Sequence, residues 1–220
     1  MAFRGFAVRN SHGNESRKDL IRSYLSQYNK RLSEDSSDSL LKDQMAIILN
    51  KEHGYSPLYL MAVCEMLVTF GGVYELMTKF IEDLGSTIPS IFEQLLVLLE
   101  VEHGVDLVRL SMSLVACSPS GMTELEMIEI MHDAESEMIV DNDNDNKENN
   151  NEVITIMSNF SRLYAQTRLF LGGNGSGRMQ FFHDQLLFVV RRRYGLDPPT
   201  VGNKTYCAIN KTLADYFANK

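Results

Sequence analysis

Apolar residues recur at helical spacing along almost the whole chain, and strand-like runs are confined to a short stretch near residue 170. Between Arg17 and Leu32, the residues Leu20, Tyr24, Leu25, Tyr28 and Leu32 fall on one helical face with charge between them. A serine and aspartate cluster over 33–39 breaks that helix and offers N-caps for the next, which runs to Leu49. Pro57 opens a strongly apolar helix over 58–70, where its missing N–H costs little, and Gly71-Gly72 ends it. Further helices are predicted over 74–84, 89–104 and 105–116. Ser118-Pro119-Ser120-Gly121 is a breaker, and Thr123 with Glu126 forms the capping box of a short helix ending near His132.

Residues 133–152 shift abruptly to Asp, Asn and Glu, a composition that buries too little apolar surface to order itself, and they read as a disordered acidic insertion. Helix resumes over 153–168. The stretch RLFLGGNGSGRMQFFHDQLLF, residues 168–188, then gives two short apolar runs around a glycine-rich turn, followed by a helix opening on His183. A linker over 195–202 precedes a last helix over 203–218. The expected fold is therefore mainly α: an unstructured N-terminus over 1–16 and a helical array over 17–104. A winged-helix domain with a β-hairpin wing over 105–194 follows, then a linker and the start of a further helical region over 195–220.

Charge narrows the partners. With 29 acidic against 21 basic residues the net charge is −8, which argues against nucleic acid or an anionic membrane surface. The apolar fraction of 44% fits a globular core. Cys64, Cys117 and Cys207 lie far apart in no metal-ligand spacing and read as reduced thiols. With no signal-peptide core and no long uninterrupted apolar run, the expected location is cytoplasmic.

Each candidate for chemistry has a plainer competitor. Gly172 to Gly177 has the glycine spacing of a phosphate-binding loop, but Arg178 and Met179 stand where that loop needs Lys and Ser or Thr. The glycines also sit between strands rather than before a helix, so a hairpin turn explains them better. The helix over 153–168 offers only Arg162 and Arg168 to DNA, and the wing only Arg178. Arg191-Arg192-Arg193 complements a helix C-terminus. The methionines at helical spacing, Met61, Met66, Met112, Met127 and Met131, read as core filling, and Glu65, Glu75, Glu82 and Glu93 as solvated faces. His53, His103 and His132 lie near helix ends. No catalytic or metal-binding constellation emerges.

Four segments in order carry a resemblance: Pro57-Leu58-Tyr59-Leu60, Ser120-Gly121-Met122-Thr123-Glu124, Phe182-His183-Asp184-Gln185-Leu186 and Leu213-Ala214-Asp215-Tyr216-Phe217. Over about residues 17–218 the chain resembles the C-terminal, helical plus winged-helix half of a STAND-class NTPase module. The NACHT and NB-ARC switch proteins belong to that class, and the nephrocystin-type and telomerase-associated-protein-type NACHT proteins, which lead into TPR or WD repeats, are the nearest in kind. The resemblance implies that Pro57 packs near adenine and ribose, and that His183, supported by Asp184, reads the ADP phosphates. It also implies that the Walker A lysine and Walker B acids lie N-terminal to this stretch. The chain would then be a truncated gene product, a fragment or a degenerate paralogue, without hydrolysis. No cofactor is expected here; ATP or ADP would bind only together with that missing core. The implied role is non-catalytic regulation of protein partners or adjacent domains, by coupling nucleotide state to conformation. The alternatives are a nucleic-acid-binding winged helix and a nucleotide-independent helical adaptor or scaffold.

Overall fold

A computed structural model describes residues 13–34, 42–69, 74–139, 149–168, 170–173 and 177–218. Among these the protein is mainly helical, with ten helices and one two-stranded sheet. It divides into two compact units, Met1–Leu95 and Leu96–Lys220. No described helix is long and apolar enough to cross a membrane.

The first unit is built on α1 (Gly13–Ser26), α2 (Gln44–Leu49), α3 (Pro57–Thr69), α4 (Tyr74–Asp83) and the first half of α5 (Ile88–His103). The sequence of α3 is apolar on every side, and the structure buries Tyr59, Leu60 and the run Ala62 to Leu67, with α1 packed against it. Two lysines close helix ends. Lys30 Nζ donates to the carbonyls of Leu67 and Val68, and Lys51 Nζ to those of Glu82 and Leu84. The N-cap of α2 is Asp43, whose carboxylate accepts from the Ala46 N–H at 2.7 Å; residues 35–39 of the expected cap cluster lie outside the described residues. Gly71-Gly72 likewise falls outside them.

Glu65 corrects the reading of a solvated face. It is 8% exposed and accepts the Tyr24 hydroxyl proton at 2.5 Å. Its helix has no polar side to turn outward, so the carboxylate is held inside and satisfied by a phenol.

The second unit contains the rest of α5, then α6 (Val105–Cys117), α7 (Glu124–Ile139), α8 (Asn149–Thr167), β1 (Leu171–Gly173), β2 (Met179–Phe181), α9 (Asp184–Arg193) and α10 (Lys204–Ala218). Helix α6 is the hub, packing against α7, α9, α10 and β2. Its buried residues include Val108, Met112, Leu114 and Val115, and the core around it takes in Met127, Met131, Leu163, Met179, Leu186 and Val190. Met66, Met112, Met127 and Met131 are buried as read, and Met61 is half-buried. The three cysteines are free, Cys64 and Cys117 buried and Cys207 half-buried.

The helix expected to end near His132 continues to Ile139, and the one expected from Val153 begins at Asn149. The run Asp133 to Ile139 includes Ala, Glu and Met, good helix formers that extend a helix already nucleated by its capping box. Residues 140–148 lie outside the described set.

Candidate functional site at the hairpin and the helix that follows it

The short strands pair antiparallel, Leu171 with Phe181, Gly172 with Gln180 and Gly173 with Met179. On its other side Met179 pairs with Met122, so the residue just before the α7 cap joins the hairpin through an isolated antiparallel bridge. That pairing explains Gly121. Its φ is +72°, and a Cβ there would stand 2.7 Å from the Met179 carbonyl oxygen and 2.5 Å from Gln180 Cγ.

Arg178, which fills the lysine position of the apparent phosphate-binding loop, has a definite structural task. Its guanidinium donates to the Gly121 carbonyl at 2.7 Å and to the Glu126 carboxylate at 3.0 Å. Glu126 in turn accepts the Thr123 N–H at 2.8 Å, while Thr123 Oγ1 accepts the Glu126 N–H at 3.2 Å. The capping box read from the sequence is therefore formed, and the arginine ties the hairpin to it. Burial alone would raise the Glu126 carboxyl, but the Thr123 hydrogen bonds and Arg178 hold it below its ordinary value.

His183 is the N-cap of α9. Its backbone is extended, and its Nδ1 accepts the Gln185 N–H at 3.2 Å. With Nδ1 accepting, the neutral ring carries its proton on Nε2. The imidazole is exposed, the Phe182 ring stands edge-on to it, and Phe182 and Phe188 are each about half exposed. Asp184 is the exposed first residue of α9, where an acid complements the dipole. The result is a donor-bearing ring at a helix start beside apolar surface. Pro57, in the first unit, is the exposed first residue of α3, and the Leu60 N–H reaches back to Ser56. The two implied nucleotide residues thus stand in different units, each at the start of a helix.

The far end of α9 is anchored by a cluster that the sequence did not single out. Glu100, on α5, accepts from Arg193 through Nε at 2.9 Å and a terminal nitrogen at 2.5 Å, and from the Tyr194 hydroxyl at 2.9 Å. The Arg193 hydrogen bond holds the carboxyl below its ordinary value, against desolvation and with help from Tyr194. Nearby, His103 is buried with its Nε2 2.8 Å from Gln166 Oε1, and the Gln166 amide nitrogen donates to Glu102 at 2.9 Å. The last turn of α5, where the sequence placed His103 near a helix end, is thereby joined to α8. Only the triplet Arg191-Arg192-Arg193 pointed toward this region, and it could not reveal which of the three finds a carboxylate.

Among the described residues no group of His, Cys, Asp and Glu is arranged to hold a metal ion. An open cavity of about 490 Å³ lies beside the hairpin, between Cys117–Gly121, Arg178 and the face of α10 carrying Asn210, Leu213, Ala214 and Phe217.

No protein-family description matches the chain, and no solved structure matches it. Over 108 residues, 49% of the chain, it is 34% identical to telomerase protein component 1 of Mus musculus, and over 108 residues it is 33% identical to telomerase protein component 1 of Rattus norvegicus. The matched stretch spans 4% of the length of either relative, so the likeness is between half of this chain and a small part of much longer proteins.

Proposed function

We propose that this chain is a non-catalytic interaction module whose second unit is a winged helix of the STAND type, coupling nucleotide state to conformation and assembly in a longer protein. The observation that carries the reading is the similarity to a protein named as a component of telomerase, a name that describes an assembled part. The order of α6, α7, α8, hairpin and α9, with Met122 bridged to the hairpin, supports the winged-helix assignment. The exposed Nε2–H of His183 at the start of α9 supports a nucleotide contact. Protein partners, or adjacent domains of the same protein, are the occupants this reading requires. ATP or ADP would be held only together with a separate nucleotide-binding core.

Calorimetric titration of the 220-residue chain with ADP, and with ATP plus Mg²⁺, is the first test. The expected result is no heat beyond dilution. Saturable binding abolished by His183→Ala would overturn the requirement for a separate core. In a longer form carrying a GxxxxGK[ST] loop, His183→Ala should leave the thermal transition in place, with roughly 0.5–1 kcal/mol lost from the cap. It should also weaken ADP retention. Unchanged retention in a folded variant would remove the sensor role and leave a nucleotide-independent adaptor.

A further inference from the structure

We draw no further inference here: the strongest candidate, the open cavity between the Ser118–Gly121 turn, Arg178 and the Asn210–Phe217 face of α10, has its arginine already paired with Glu126, and nothing in the structure shows what covers it.

Discussion

Gly121 and Gly195 both hold positive φ, +72° and +67°, yet their surroundings differ completely. A methyl group on Gly195 would meet nothing within 4 Å, whereas one on Gly121 would press on a carbonyl oxygen that the Met122–Met179 pairing fixes in place. Gly195→Ala should therefore cost only the left-handed backbone penalty, about 1 kcal/mol. Gly121→Ala adds a backbone collision and should cost about 2 kcal/mol more, read as the difference in urea midpoints at equal slope. Equal losses would mean that the bridge yields. Arg178 makes a companion case. Arg178→Ala removes a charge-assisted pair and one of the two donors to the Gly121 carbonyl, which keeps the Ser118 hydroxyl, a loss of about 1–2 kcal/mol. Arg178→Lys should recover less than half of it, because a single ammonium cannot reproduce the two-pronged contact. Full recovery by lysine would show that charge alone matters. None of this was legible in the sequence, where the arginine counted as a failed lysine and as the wing's one cation: a turn residue's partners sit more than fifty positions away, and periodicity carries no information at that range.

Helix α9 is held at both ends by different chemistry. At its start a histidine caps one N–H, and at its end Arg193 and Tyr194 converge on Glu100. Glu100 and Glu126 both have carboxyls below the ordinary value, so in the folded state they keep their charge to lower pH than in the unfolded chain. The stability they supply is fully present above the unfolded carboxylate value, about 4.3, and is lost as pH falls through their folded values. Urea midpoints of the whole chain should thus be insensitive to these groups between about pH 5 and 7 and fall below about pH 4. In Glu100→Gln the midpoint should be lower at pH 7 and its acid slope shallower. An acid slope identical to the parent would show that Glu100 contributes nothing to the linkage. At this scale the sequence spoke clearly where a rule is local. The capping box at Thr123 and Glu126 and the helix start at Pro57 follow from side chains three or four residues apart. It misjudged Glu65, because whether a helical carboxylate faces solvent depends on what packs over it, and here α1 does.

For the molecule as a whole, helical periodicity sufficed to anticipate a mainly α chain with one hairpin, since each helix must bury a stripe of its own sequence. The two compact units divide at Leu95–Leu96, inside α5, which runs unbroken through that point with no composition shift to mark it. Charge is the property that belongs most plainly to this scale, and it bears on the proposed choice of protein over nucleic acid as partner. A winged helix that reads DNA needs free cations on its recognition helix and wing. In the second unit Arg178 is committed to Glu126, and Arg162 lies 3.7 Å from Glu102. The chain around them carries eight more acids than bases. Phosphate neutralisation and counterion release, which supply nonspecific affinity, therefore have little to draw on. Fluorescence anisotropy of a labelled duplex at about 50 mM salt, the condition that favours such binding most, should stay flat to micromolar protein. A rise that disappears as salt is increased, and that weakens in Arg162→Ala with Arg168→Ala, would instead place the function of α8 on DNA and displace the protein-assembly reading.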